Sequence, residues 1–173
     1  MIGAVAPALD DEIVDVGGGA STLVDQLLER GFKKLTVVDI SDSALNAART
    51  RLGSRAGEVN WLVADARNLH LPQQVDLWHD RAVFHFLTRK ADQDAYLFCL
   101  LEALRPGGHI VVATFGPQGP DKCSGLPVER YDAEKLSGRL GPGFALLRSL
   151  KKMHTTPGGA TQQFTYCVFR RRK

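Results

Sequence analysis

The chain has 173 residues, of which 44% are hydrophobic and 24% are charged, and its formal net charge is +3. This size and composition predict a single globular domain over residues 1–173, large enough to bury a sizeable core. No apolar run approaches the roughly 18 residues of a membrane span, and the first residues lack the basic start of a signal peptide, which argues against a membrane protein and a secreted protein.

The net charge and the cysteine content limit the kinds of partner, disulfide and metal site that we expect. Much of the net charge comes from a basic run at 170–173, which is typical of a solvated tail and does not predict a nucleic-acid partner. The three cysteines form no CxxC pair, so we expect neither a disulfide framework nor a zinc site, and we find no other metal-binding constellation. These features predict a cytoplasmic protein without a metal ion.

Short β-type runs alternate with helical patterns along the first two thirds of the chain. The predicted strands cover 13–16, 35–40, 59–63, 75–78 and 109–115, and the predicted helices cover 22–30, 44–52 and 92–104. Ser41-Asp42-Ser43 forms an N-cap cluster before the second helix, and Arg105-Pro106-Gly107-Gly108 terminates the third. This alternation predicts βαβ units and a parallel sheet with both faces covered.

The last third of the chain follows a different pattern. Two β-type runs, 146–153 and 163–169, are separated by the hairpin-like connection 154–160. A hairpin reverses the chain direction, so the last strand should run antiparallel to the others.

A glycine-rich turn and three acidic residues follow the first strands. Gly17, Gly18 and Gly19 let the backbone turn sharply and approach a ligand closely, but the third glycine of a dinucleotide fingerprint is missing. Asp15 lies just before the glycines, Asp39 ends the second strand and Asp65 follows the third. In an open α/β sheet these strand ends meet in one crevice, where a carboxylate can accept hydrogen bonds from ribose hydroxyls. Three carboxylates would repel a pyrophosphate and suit a ligand with a ribose, an amine and a positive centre.

On these residues the chain resembles the class I S-adenosylmethionine-dependent methyltransferases, over residues 11 to about 169. Asp15, Gly17 and Gly19 match the acid-x-Gly-x-Gly pattern, and 104–108 is similar to the turn before the fifth strand. The resemblance implies a three-layer α/β/α Rossmann-like methyltransferase fold. Its seven-stranded, mostly parallel sheet has the order 3-2-1-4-5-7-6 and an antiparallel last strand. It also implies S-adenosylmethionine as cofactor and S-adenosylhomocysteine as product.

The resemblance implies cofactor contacts for Asp15, Gly17, Gly18, Gly19, Asp39, Ile40, Asp65 and Ala66. The glycine loop faces the methionine moiety, and Asp15 helps to hold its amino group. Asp39 accepts hydrogen bonds from the ribose hydroxyls, and Asp65 accepts one from the adenine amino group. The backbone N–H of Ala66 donates a hydrogen bond to a ring nitrogen of the adenine. Family members usually have N-terminal lid helices before the first strand, whereas about a dozen residues precede Ile13 here. We therefore expect a domain without those helices.

Candidates for the acceptor side follow the fourth and sixth strands. His79 and Asp80 lie where the fourth strand meets the cofactor edge, and His154 follows the sixth strand at the same edge. These residues are candidates for positioning the acceptor or accepting its proton. Asp80 has the alternative of capping the next helix or pairing with Arg81, and His154 has the alternative of a structural turn histidine.

The predicted function is methyl transfer from S-adenosylmethionine to an unidentified acceptor. A small molecule is favoured because no recognition domain is appended. The alternatives are a protein-lysine methyltransferase and a non-catalytic S-adenosylmethionine-binding partner subunit.

Overall fold

A seven-stranded sheet lies at the centre of the computed structural model, which describes residues 2–5, 7–19, 21–156 and 158–173. Its strands are β1 (Glu12–Val16), β2 (Lys34–Asp39), β3 (Val59–Val63), β4 (Val75–Arg81), β5 (Leu104–Phe115), β6 (Phe144–Thr155) and β7 (Thr161–Arg171). They lie in the spatial order β3-β2-β1-β4-β5-β7-β6. Strands β1 to β5 pair in parallel, and β7 pairs antiparallel with both β5 and β6. The predicted strand order and the antiparallel last strand are confirmed.

In the described part of the chain four α-helices accompany the sheet: α1 (Leu23–Glu29), α2 (Asp42–Leu52), α3 (Lys90–Ala103) and α4 (Ala133–Leu140). The hydroxyl of Ser41 accepts a hydrogen bond from the Ala44 N–H and caps α2, as the sequence predicts. Helix α4 was not predicted, although Asp132 caps it through the Lys135 N–H. A two-stranded ribbon, Lys122–Cys123 with Leu126–Pro127, was not predicted either. Pro157, within the predicted connection 154–160, lies outside the described residues.

The helices cover the two faces of the sheet in pairs. Ile13 of β1 belongs to a buried cluster that includes Leu27 of α1 and Leu45 of α2. Its neighbour Val14 belongs to the opposite cluster, with Leu100 of α3 and Leu136 of α4. Successive strand residues point to opposite faces, so a central strand buried on both sides has a continuous apolar sequence. The resulting three-layer α/β/α architecture agrees with the prediction.

Strand β5 begins at Leu104 and not at the predicted His109. Leu104 pairs with Val75 of β4 ahead of an irregularity in the register, so the glycine-rich turn is part of the strand. No helix among the described residues is long and apolar enough to span a membrane.

Two glycine-to-alanine substitutions should change stability in opposite directions. A Cβ on Gly108 would lie 2.9 Å from the carbonyl oxygen of Arg105 and 3.0 Å from that of Asp76. Gly108→Ala should therefore lower the free energy of unfolding by about 1–3 kcal/mol, as crowding in a packed interior does. Gly138 is exposed in α4 with nothing within 4 Å of its Cβ position, so Gly138→Ala should raise it by about 0.5–1 kcal/mol. Urea unfolding measures both changes, and equal effects of the two substitutions would contradict the packing described at Gly108.

Candidate functional site

The glycine turn after β1 folds back over the end of β2. The N–H groups of Gly17 and Gly18 both donate to the carbonyl oxygen of Val38, at 2.7 and 3.1 Å. Gly17 and Gly19 have φ angles of +70° and +36°, which favour glycine. A Cβ on Gly17 would lie 2.0 Å from Cγ2 of Val83, so the turn needs glycine for space as well as for conformation.

A cleft of about 640 Å³ opens beside this turn, between the ends of β2 and β3 and the segment that follows β4. We call it the larger cleft. Five of the predicted cofactor residues line it, namely Gly17, Asp39, Ile40, Asp65 and Ala66. Val83, Phe86 and Leu87 add an apolar wall. The larger cleft thus combines apolar surface with two carboxylates.

Asp39 is held in place by the residues that follow it. Its Oδ1 accepts a hydrogen bond from the Ser41 N–H at 2.9 Å. Its Oδ2 lies towards Gly19, where a Cβ would be only 2.6 Å away. The carboxylate is therefore fixed at the edge of the cleft, and the absence of a side chain on Gly19 leaves room for it.

Asp65 is paired with an arginine that the sequence analysis missed. Its carboxylate accepts hydrogen bonds from the Arg67 backbone N–H at 2.9 Å and from the Arg67 guanidinium, which also contacts Asp92 at 2.9 Å. The hydrogen bonds from Arg67 hold the pKa of Asp65 below its usual range. Asp65 therefore faces the cleft as an ionised carboxylate that already has a cationic partner.

A second cavity, of about 320 Å³, adjoins the larger cleft. We call it the smaller cavity. Its lining includes Asp15, Gly18, His79, Arg81, His154 and Phe164. Gly17, Asp39 and Ala82 line both spaces, so the two form one continuous region along the sheet edge. Ala82 has a φ angle of +69°, a strained conformation of the kind found at functional sites.

A buried carboxylate–imidazole pair lies at the base of the smaller cavity. Asp15 and His79 stand opposite each other in the register of β1 and β4, and Oδ1 of Asp15 lies 2.7 Å from Nδ1 of His79. The two residues are only 5% and 8% exposed. A neutral imidazole that donates its Nδ1–H to a carboxylate carries no proton on Nε2. The one hydrogen bond of the His79 ring within the described ranges is the contact of Nδ1 with Asp15.

Asp80 points to the opposite face of the sheet from His79. It is fully buried, and it accepts hydrogen bonds from the N–H groups of Val83 and Phe84 and, at 2.7 Å, from the hydroxyl of Tyr96. Its carboxylate lines neither cavity. These contacts match the capping alternative, because Asp80 organises the turn whose Val83 borders the glycine loop.

His154 lies at the rim of the smaller cavity, on β6. Its ring is half-buried beside Phe164, with ring centroids 6.1 Å apart. The structure therefore brings His79 and His154 to one cavity and leaves Asp80 outside it. Arg81 and Phe164 also line the smaller cavity and were not predicted to do so. Arg81 follows His79 by two residues, so strand alternation was the signal that would have found it.

Comparisons with known proteins identify the family to which the chain belongs. Residues 13–108 match the family model described as a methyltransferase domain. Over 98 residues the chain is 31% identical to Nodulation protein S of Sinorhizobium fredii. The matched region covers 57% of this chain and 44% of that protein. Over 111 residues it is 31% identical to the ubiquinone/menaquinone biosynthesis C-methyltransferase UbiE of Shewanella piezotolerans, with 60% and 42% covered. The chain thus spans less than half the length of these curated relatives.

The fold is also similar to a solved structure of an S-adenosylmethionine-dependent methyltransferase from Methanosarcina mazei. The TM-score is 0.80 at 17% sequence identity, over 99% of this chain and 97% of that one. At this identity the comparison supports the fold alone.

The burial of Asp80 predicts a distinctive pH dependence of stability. Burial raises its pKa from 3.8 to about 6, so the folded protein holds this proton more tightly than the unfolded chain does. The stabilisation is therefore complete at low pH and is lost as the pH rises, by up to about 3 kcal/mol between roughly pH 4 and 6. Asp80→Asn lacks this titration. Urea unfolding of both proteins across the range should show the stability of the variant rising relative to the wild type, and parallel pH profiles would contradict the assignment.

Proposed function

Because this chain belongs to the methyltransferase domain family, whose members use S-adenosylmethionine, we propose that it transfers a methyl group from this cofactor to a small-molecule acceptor. Family membership confirms the predicted family and cofactor. When bound, S-adenosylmethionine supplies a methyl group on a positively charged sulfur, which keeps the electron pair of the broken carbon–sulfur bond. The contact between Asp15 and His79 carries the proposal, because it joins the glycine loop to the acceptor cavity.

The larger cleft has the chemistry that an adenosine moiety requires. Asp39 presents a fixed carboxylate for ribose hydroxyls, which is the role of an acid at the end of a second strand. Asp65 presents a second carboxylate for the adenine amino group, and Ile40 and Leu87 offer apolar surface for the ring. The residues present therefore fit the nucleoside half of the cofactor.

Asp15 lies where it can contact both the cofactor and the imidazole of His79. Its Oδ1 contacts His79, while its Oδ2 lies beneath the glycine turn, 2.7 Å from where a Cβ of Gly18 would be. We assign Oδ2 to the amino group of the methionine moiety. Oδ1 orients the imidazole, so that the same carboxylate fixes the cofactor and the ring.

His79 is the candidate general base. With Nδ1 held by Asp15, its Nε2 accepts the proton that an acceptor hydroxyl, thiol or ammonium group loses on methylation. The carboxylate of Asp15 then stabilises the imidazolium that forms. His154 contacts the acceptor at the rim, and Asp80 supports the turn between the two spaces without touching the acceptor.

A small-molecule acceptor is favoured by two observations. The smaller cavity has a volume of about 320 Å³, which suits a compact ligand. One curated relative, UbiE, is named for a step in quinone biosynthesis. We also propose that residues 1–173 act as one domain, since the seven-stranded sheet takes its strands from both ends of the described chain, from β1 to β7.

Cofactor choice is the first prediction from this proposal. S-adenosylmethionine and S-adenosylhomocysteine should bind in calorimetry and NAD should not, because a dinucleotide would bring its pyrophosphate among the carboxylates. Asp39→Ala should weaken S-adenosylhomocysteine at least about tenfold, the scale of one lost hydrogen bond to a charged group, and Asp39→Glu should weaken it less. Binding of NAD alone would contradict S-adenosylmethionine as the cofactor. Unaltered affinity in both variants would contradict Asp39 as the residue that binds the ribose.

Proton transfer gives the second prediction. In a screen of thiols, phenols, amines and carboxylic acids, read by S-adenosylhomocysteine release, His79→Gln should lower turnover about 10²–10⁴-fold. Its affinity for S-adenosylhomocysteine should stay within about twofold, because Asp15 keeps Oδ2 for the cofactor.

His70→Gln is the matched control, because His70 is exposed and lies outside both cavities. It should match the wild type in rate. Full activity of His79→Gln, or an equal loss in His70→Gln, would remove His79 from the proposed role. Cofactor binding with no product from any small acceptor would favour a protein acceptor or a non-catalytic subunit.

A further inference from the structure

Arg81 is a cation in the smaller cavity with no carboxylate beside it. Several other arginines are ion-paired, among them Arg67 with Asp65 and Arg105 with Asp76. In the described part of the chain, no carboxylate lies within 4.0 Å of the Arg81 guanidinium. Its side chain is exposed in the cavity wall and is therefore available to an anion from solution.

The guanidinium of Arg81 is positioned by an aromatic ring. Its Cζ lies 5.5 Å from the ring centroid of Phe164, which is itself almost fully buried. A cation–π contact of this kind leaves the N–H groups free, and the guanidinium fork matches a carboxylate with two parallel hydrogen bonds. Arg81 thus contacts Phe164, while no group among the described residues accepts a hydrogen bond from its guanidinium.

The charges around the smaller cavity favour an anion at Arg81. Two carboxylates line it, and Asp15 is engaged with His79 while Asp39 faces the larger cleft. The remaining charged or titratable groups of the lining are Arg81, His79 and His154. The side of the cavity away from the cofactor residues is therefore basic and partly aromatic.

The spacing of Arg81 and His79 along β4 gives the approximate length of a suitable acceptor. The two side chains leave the same face of β4, two residues apart, which places their attachment points roughly 6–7 Å from each other. One benzene ring separates para substituents by a similar distance. We propose that the acceptor is a planar aryl carboxylate with a hydroxyl or amino group across the ring. Its carboxylate binds Arg81, and its nucleophile lies at His79.

The reaction follows from this orientation, and it rests on the proposed function. The hydroxyl oxygen or amino nitrogen forms the bond to the methyl carbon, and its proton passes to Nε2 of His79. The broken bond is the one between that carbon and the cofactor sulfur, which keeps the electron pair. The carboxylate takes no part and leaves unmethylated.

The test uses 4-hydroxybenzoate and its uncharged analogue 4-hydroxybenzamide as probes. Each is titrated calorimetrically into the full chain saturated with S-adenosylhomocysteine. The acid should bind at least about tenfold more tightly than the amide, as a charge-assisted pair predicts. Arg81→Gln should abolish this preference, and Arg81→Lys should keep part of it. The matched control is Arg148→Gln, because Arg148 is an exposed arginine of β6 outside the cavity lining, and it should keep the full preference.

Each outcome separates this inference from the proposed function. If S-adenosylhomocysteine binds but acid and amide bind equally, or neither binds, the acidic acceptor is excluded while the cofactor assignment stands. Loss of the preference in Arg148→Gln as well would show a general charge effect and overturn the role of Arg81. Failure of S-adenosylhomocysteine to bind would overturn both proposals. Mass spectrometry of turnover with S-adenosylmethionine should locate the methyl group on the hydroxyl, and a methyl ester would contradict the orientation.

Discussion

The parallel pairing of β1 with β4 is the constraint on which the rest of the site depends. The strand order reverses at this pair, since β1 leads to β2 on one side and β4 leads to β5 on the other. Chains leaving the carboxyl ends of such strands diverge and open a crevice. The register at the reversal sets Asp15 opposite His79, so a residue beside the glycine turn meets a residue of the acceptor cavity across a single hydrogen bond.

The segment after β4 depends on a second, fully buried set of contacts. Trp78 donates to the Tyr96 hydroxyl, which donates to Asp80, and Asp80 accepts from the backbone of the turn. The turn carries Val83 against Gly17 and holds Ala82 in a strained conformation between the two spaces. A buried network in which each member has a partner makes such a turn rigid. The buried contacts of Asp80, on one face of the sheet, therefore fix the turn that separates the larger cleft from the smaller cavity.

The sequence predicted the fold because strand ends, glycines and caps are local signals that the packing reinforces. The acids at the ends of β1, β2 and β3 could be placed at one edge for the same reason. The face to which Asp80 points was not predicted, because the predicted fourth strand covered only 75–78. The strand in fact continues to Arg81, and alternation along it turns His79 and Asp80 to opposite faces. The pairing of Arg67 with Asp65 depends on side-chain rotamers that no sequence pattern fixes.

The tautomer of the His79 ring is the most direct test of the proposed site, because a base at Nε2 requires Asp15 to hold the Nδ1 proton. Nitrogen-15 NMR of the histidine side chains, assigned with His79→Gln, reports which ring nitrogen carries the proton. Neutral His79 should carry its proton on Nδ1 in the wild type. This preference should be lost in Asp15→Leu, which provides no acceptor for the Nδ1 proton. A proton on Nε2 in the wild type, or an unchanged tautomer in the variant, would contradict the role of Asp15.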